Sequence, residues 1–587
     1  MKHIAAFLLA AVALTTACKK DEFLEPKTSA LTEDTVFGDS TRTMAFANRI
    51  YADIGFSFTK GRWSSHGNSE LATDDAEYNF SGGFQSAVQL YSGTLSPLTF
   101  YGNNVASNDF WQTPWDNIRR VNLLLSKLPN APLSGKLKAR LAAEARFLRV
   151  WYYENLVVCF GGVPIIGDKV YGIEDVINQP RTSYADCIAY LTQELDEIAP
   201  LLPTGAEYSA PDFGRVTRGA CLGLKSRILL EAASPLFNGS AETQDAELAS
   251  LVSYPTYSVS HWQDAANAAQ AVINSGYYSL NVDNATAPGN GFYSVFLKRV
   301  NTEYIFFVNR PSNNRDMESY YNPATRGGPA YSTPTQNIVD AFPMKNGKPI
   351  TDRTSGYAAT NPYANRDPRF YNTIIFNSTA QTPCRYFLGS ANGLADVFTY
   401  EGATSDGINL SSSSTGYYCR KMCDVNVAGF NGGTTERGWP LLRYAEILLN
   451  YAEAINETGQ TQLAYPKLVE LRDRAGIDKG ADGLYGLKAG MSKEEMREVI
   501  RNERRIELAY EDHRWHDIRR WKIAMVISNA YNNRMRVVRS GAAPNYSYTY
   551  NVVPTIRRHN FRPEMYLLPL PDAEVRKVPL FRQNPGW

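Results

Sequence analysis

Apolar residues recur at helical spacing in two blocks of this chain, and a long stretch with no such period lies between them. Leu137, Leu141, Ala145, Leu148 and Tyr152 form one continuous stripe. The segment WDNIRRVNLLLSKL (115–128) precedes it across Pro129, Pro132 and Gly135, so the two read as an antiparallel helix pair. Residues 184–198 and 216–233 form a second pair, and 261–274 adds a helix. The pattern returns at Leu442, Ala445, Leu449, Ala452 and Ile455, with 463–475 as its partner beyond Gly459. A short helical hairpin cannot hide its stripe alone and must stack on the next one, although no full repeat consensus recurs at a fixed period. The expected fold class is mainly α. TPR-like helix pairs form a scaffold over about 109–275 and 442–521, and it carries a large irregular loop-rich region with short strands.

Between about 277 and 440 the composition shifts to Gly, Asn, Ser, Thr and Pro, with short apolar runs such as EYIFFV (303–308) and YNTIIF (371–376). These runs read as short strands. Residues 56–104 have the same loop-rich, aromatic character. Long loops in a compact body carry function, so the two inserts are expected to meet and to face a ligand.

Charge and motifs narrow the chemistry. With 60 Lys and Arg against 59 Asp and Glu, the net charge of +1 argues against a general nucleic-acid binder. No GxSxG, HExxH, GxxxxGK[ST] or GxGxxG occurs, which by itself does not exclude an enzyme; no metal or cofactor is expected. Asp74 and Asp75, with Glu70 and Glu77 nearby, are the best carboxylate cluster for an alternative surface glycoside hydrolase. His513 and His516 could share a helix face with Asp512 or Asp517. Arg501 and Arg505, like Glu503 and Glu507, are like-charge pairs four apart, which destabilise an isolated helix. Their partners should lie on a neighbouring helix, with Glu446 and Glu453 as candidates.

The beginning of the chain reads as an address. Lys2 and His3 precede an apolar run, 4–14, too short to span a bilayer, so residues 1–17 read as a signal peptide and 18–587 as a single body. Ala17 before Cys18 resembles a bacterial lipobox, with Leu14 four residues before the cysteine instead of three, and marks Cys18 for lipidation. An ordinary signal cleaved after Ala17 is the alternative. The following Lys19, Lys20, Asp21 and Glu22 resemble a surface-export signal of Bacteroidetes lipoproteins. Cys159, Cys187 and Cys221 read as small buried hydrophobes, while one disulfide among Cys384, Cys419 and Cys423 is open, with no pairing assigned.

Five segments together resemble one family. RNERRIELAYEDHRWHDIRRW (501–521), LLPLPDAEVRKVPLFRQNPGW (567–587), LRYAEILLNYAEAINE (442–457), ARFLRVWYYENLVVCFGGVPII (145–166) and the lipobox are similar to SusD/RagB-like outer-membrane nutrient-binding lipoproteins. One departure is Asp512, where the family commonly has Gly. The resemblance implies a lipid-anchored protein on the cell-surface side of the outer membrane. Its partner would be a SusC-like TonB-dependent transporter, which it covers as a lid. The implied cargo is an oligosaccharide, or in RagB-like members an oligopeptide, delivered without cleavage. No residue motif for the ligand transfers, so candidates rest on chemistry and position. In the first insert they are Trp63, Asn68, Asp74, Tyr78 and Tyr101, beside His66 and Asp75. In the second they are Arg310, Asn314, Tyr320, Tyr321 and Arg326, beside Arg315 and Tyr331. Rings can cover the C–H face of a pyranose while amides, carboxylates and guanidiniums reach its hydroxyls. Trp111, Trp115, Trp151, Trp515 and Trp521 are assigned to the scaffold.

Overall fold

A computed structural model describes residues 32–587 except 56–67, 80–85, 102–109, 173, 240–241, 311–315, 388–392, 404–405, 409–412 and 428–435. Trp63, His66, Asn314, Arg315 and Cys18 therefore lie outside the described residues.

The scaffold helices follow the stripes. They are α1 (Gln112–Lys127), α2 (Gly135–Phe160), α3 (Tyr184–Ile198), α4 (Arg218–Ala233), α5 (Ser260–Ser275), α6 (Tyr444–Glu457), α7 (Tyr465–Arg474), α8 (Lys493–Glu507) and α9 (Arg514–Arg520). Local chemistry sets their starts. Ser134, Ser183 and Thr217 accept from backbone N–H groups of α2, α3 and α4, and Ser492 with Glu495 makes a reciprocal capping box on α8. From α1 to α6 each helix packs on the next, and α6 also meets α7 and α8. The two periodic blocks are thus one continuous stack, because α5 packs directly on α6 across the whole irregular region. The C-terminal half of α2 is buried all round except at Asn155, as a central helix must be. At its end Gly161 adopts φ 77°, and a Cβ on Gly162 would stand 2.0 Å from the Thr182 carbonyl oxygen. Trp151, Trp515 and Trp521 are buried, while Trp111 and Trp115 pack at the core edge.

The irregular region leaves and re-enters the scaffold through one strand pair. Strand β2 (Tyr304–Arg310) runs antiparallel to β4 (Arg437–Arg443), with Tyr304 opposite Arg443 and Val308 opposite Trp439. Leu442 therefore belongs to a strand and faces Phe306, and the helical stripe begins only at Tyr444. The first insert joins the second through β1 (Ala76–Tyr78) and β3 (Ser332–Pro334), which pair Ala76 with Pro334 and Tyr78 with Ser332. A long hairpin, β5 (Tyr531–Ala542) and β6 (Asn545–Arg558), follows α9. Cys159, Cys187, Cys221, Cys384, Cys419 and Cys423 are buried free thiols, so no disulfide forms among Cys384, Cys419 and Cys423.

Buried charge ties the strand gate to the helices. Glu507 of α8 accepts from Arg369 (2.9 Å), Arg443 of β4 (2.8 Å) and Arg474 of α7. Glu303 takes Arg443 and Arg474, Glu503 takes Arg369 and Arg472, and Glu511 takes Arg443 and Lys421. Asp367 closes the set on Arg369 (2.8 Å). Burial opposes the charge on Glu507, but Arg474, Arg443 and Arg369 outweigh it and hold the carboxyl well below the usual range. The expected partners of the like-charge pairs, Glu446 and Glu453, are engaged elsewhere: Glu446 by Arg227 and Glu453 by Arg520 and the Trp521 indole. Glu503 and Glu507 thus find Arg472 and Arg474 on the neighbouring helix α7, with Arg369 and Arg443 from the irregular region, while Arg505 reaches Asp74 and Asp75 in the first insert and Arg501 pairs with Glu498 on α8 itself. Glu507→Ala leaves three buried cations short of a partner and should cost about 3–5 kcal/mol; a chemical-denaturation midpoint unchanged from wild type would contradict this.

Candidate functional site

The two inserts meet over a floor of tyrosines. Tyr320 and Tyr321 lie on the one-turn helix Glu318–Tyr321, with ring centres 4.9 Å apart; Tyr331 is 5.4 Å from Tyr320, and Tyr510 is 6.1 Å from Tyr321. Asn68 donates its amide N–H to the Tyr321 hydroxyl, and the Asn79 N–H donates to the Tyr331 carbonyl at 3.3 Å. Tyr78 lies on β1 directly opposite Ser332. Asn68 Oδ1, Tyr320 Oη and Ser332 Oγ are buried with no hydrogen-bond partner among the described residues.

Below this floor two arginines clamp the first insert. Arg505 bonds Asp74 (2.8 Å) and Asp75 (2.5 Å), and Arg514 bonds Asp74 (3.0 Å). Burial penalises the Asp74 charge, yet Arg505 and Arg514 outweigh it and hold the carboxyl at about 2. Asp75, buried and beside Asp74, is pushed up. Burial and the Asp512 carboxylate raise Glu70 to about 8. Asp512 itself sits at φ 64°, a left-handed position that suits glycine and that Asp tolerates; Ser69 Oγ donates to its carboxylate (2.5 Å) and its N–H donates to Glu70 Oε1 (3.1 Å). The departure at this position thus keeps the turn and adds a tie to the insert.

Of the sequence candidates, Asn68, Asp74, Tyr78, Tyr320 and Tyr321 gather at this junction, and all are buried. Arg326 is buried elsewhere, bonding Asp406 (2.9 Å) and the carbonyls of Ala395 and Asp396. Tyr101 donates to the Pro569 carbonyl at 2.6 Å, remote from the floor. Arg310 ends β2 opposite Arg437, and its side chain is outside the described part. Arg505, Arg514 and Tyr510 were not singled out as site residues; the unbalanced arginines of the 501–521 block were the available signal.

A cavity of about 100 Å³ lies beside the clamp, lined by Trp151, Glu154, Glu231, Asp512, His513 and His516 among others. That is too small for an oligosaccharide and suits a few waters. Burial, with nearby arginines, holds His513 and His516 well below the usual imidazole range, so both are neutral. Among the described residues, no group of three or more His, Cys, Asp or Glu is placed to hold a metal. Burial pushes Glu154 and Glu231 up to about 7.

The SusD family model matches residues 302–587, and a second model, described as starch-binding associating with outer membrane, matches 41–230. SusD-like protein P2 of Formosa agariphila is 33% identical over 165 residues, 28% of this chain and 28% of that protein, so the match spans under a third of that relative. A SusD-like protein structure from Bacteroides fragilis superposes with a TM-score of 0.75 at 26% identity, covering 95% of this chain and 99% of that one. A SusD-like carbohydrate binding protein from the same species gives 0.70 at 23%, covering 93% and 100%. The two models match separate stretches that together make up most of the chain, the fold agrees over 95% of it, and the chain belongs to the SusD/RagB family.

Two outcomes follow from these charges. Asp74→Ala should destabilise the protein by about 3 kcal/mol, measured by denaturant midpoint, because two buried guanidiniums lose a shared acceptor. Glu154 and Glu231 have folded pKa values raised from 4.5 to about 7. Their contribution is therefore complete at pH values below the unfolded pKa and is lost as pH rises through about 7. Asp74 and Glu453, both held at about 2, contribute above the ordinary carboxylate range and lose that contribution on acidification. A Tm profile should peak between these limits, and the double change Glu154→Gln, Glu231→Gln should flatten its alkaline side only.

Proposed function

We propose that this protein is a cell-surface lipoprotein that binds an oligosaccharide where its two inserts meet and passes it, uncleaved, to a SusC-like TonB-dependent transporter as that barrel's lid. Family membership supports the reading, as do a family model described as starch-binding associating with outer membrane and a relative described as carbohydrate binding. The observation that carries it is the floor, where Asn68 Oδ1, Tyr320 Oη and Ser332 Oγ have no hydrogen-bond partner among the described residues and lie among closely spaced tyrosine rings. A sugar offers C–H faces to rings and hydroxyls to unused donors and acceptors. Trp63, Arg310 and Asn314 belong to segments that adjoin this floor in sequence, and in this reading they complete the site. Asp74 and Asp75 are tied to arginines, which argues against their use as a hydrolytic pair. Acylation of Cys18 supplies the membrane tether; among the described residues no helix is long and apolar enough to cross a membrane.

The test is a glycan and oligopeptide array probed with the body lacking residues 1–18. Selective glycan binding is expected, and selective oligopeptide binding would replace sugar by peptide as the cargo. Tyr320→Phe removes a hydroxyl that has no hydrogen-bond partner among the described residues. It should weaken binding about fivefold, the worth of one hydrogen bond, with Tm unchanged. Trp63→Ala should also weaken it. Wild-type affinity in both variants would move the pocket elsewhere.

A further inference from the structure

The sequence between Asp517 and Glu564 contains no acidic residue, while β5 and β6 carry Arg534, Arg536, Arg539, Arg557 and Arg558. In a chain of net charge +1 this is a concentrated positive ribbon. Four of the five arginines are engaged by the protein. Arg536 pairs with Glu401 at 2.8 Å, and Arg534, Arg557 and Arg558 donate to the carbonyls of Pro554, Tyr78 and Asn529. Arg539 differs. Its guanidinium carbon lies 4.1 Å from the centre of the Tyr400 ring and 4.3 Å from that of Tyr546, and among the described residues it has no carboxylate partner.

The hairpin register explains this placement. Arg539 is opposite Tyr548 and Gly541 is opposite Tyr546, so Arg539, Tyr546 and Tyr548 share one face. Val537, two residues before Arg539 on that face, is buried, and its carbonyl accepts from the Glu401 N–H at 2.8 Å. The root of the hairpin is therefore held while its far end stays open: Tyr546 is 41% exposed and Phe398 39%. Phe398 and Tyr548 extend the strip, with ring centres 5.9 and 6.2 Å from that of Tyr400.

We propose that this face is a binding site for an anionic sugar residue, a uronate or a sulfated pyranose of a polysaccharide. The inference rests on the glycan-capture reading and names a substrate class for it. A guanidinium held between two rings keeps its planar orientation and its in-plane N–H groups, which a carboxylate or sulfate can accept in pairs. The neighbouring rings of Tyr548 and Phe398 are available to the C–H face of the same or the next pyranose. Charge selects the polymer and the ring strip selects the C–H face of a pyranose over a mobile headgroup. A negatively charged lipid surface, which would answer to the ribbon's charge without this stacking, is the competing outcome.

The purified protein is tested by affinity electrophoresis and calorimetry against polygalacturonate, dextran sulfate and neutral dextran, and by flotation with phosphatidylglycerol vesicles. Binding to at least one polyanion and not to dextran is expected. Arg539→Ala should weaken it about tenfold or more, the worth of a hydrogen bond to a charged group. Arg539→Lys should fail to restore it, Tyr546→Ala should weaken it, and Tm should not move. Polyanion affinity unchanged in Arg539→Ala and Tyr546→Ala overturns the proposal, as does Arg539-dependent vesicle binding with no polymer bound. If wild type binds only neutral glycans, with Tyr320→Phe reducing that binding, this inference fails and capture at the insert junction stands. If no glycan of either kind binds, both fail.

Discussion

Five carboxylates, Asp367, Glu303, Glu503, Glu507 and Glu511, face five cations, Arg369, Arg443, Arg472, Arg474 and Lys421, in one connected buried network. Removing so many charges from water is costly, and the arrangement holds because signs balance and the guanidinium forks meet carboxylates directly. Its members come from α7, α8, both gate strands or their edges, the short helix Pro368–Thr373 (Arg369), and three positions outside helix and strand, Asp367, Lys421 and Glu511. The irregular region can therefore close on the scaffold in one register only, since any slip leaves a buried charge unpaired.

The same device recurs at smaller scale at the junction of the two inserts. Arg505 and Arg514 hold Asp74 and Asp75, which places β1 against β3 and brings Tyr78, Tyr320, Tyr321 and Tyr331 under one roof. Binding residues on loops need a rigid support if they are to be presented at fixed spacing. Here the support is ionic below and aromatic above. The β5–β6 hairpin stands apart from that junction, rooted by Val537 and open at Tyr546.

Much of the scaffold was legible because an apolar stripe is a local signal: five positions in α2 and four in α6 suffice to mark a helix face. Of the like-charge pairs on α8, Glu503, Glu507 and Arg505 have partners outside that helix and Arg501 pairs with Glu498 inside it, while Glu446 and Glu453, the expected partners, are taken by Arg227 and Arg520. An arginine spans a long reach, and sequence spacing carries no record of which loop lies within it. Asn68, Asp74, Tyr78, Tyr320, Tyr321 and Arg326 have side-chain chemistry that suits sugar. The same donors, acceptors and rings also suit the buried joint between two irregular inserts, and residue type alone does not separate the two uses.

The sequence by itself determined the helical scaffold, the irregular region between its blocks and the family resemblance of the 501–521 and 567–587 segments, since each is written in contiguous residues. Only the tertiary structure decided that α5 packs on α6 across the irregular region, that β2 pairs with β4, that Leu442 is in a strand, and that Arg539 stands between Tyr400 and Tyr546. Those outcomes depend on contacts between residues far apart in the chain, where the free energy of burial and pairing is realised only after the chain has closed on itself.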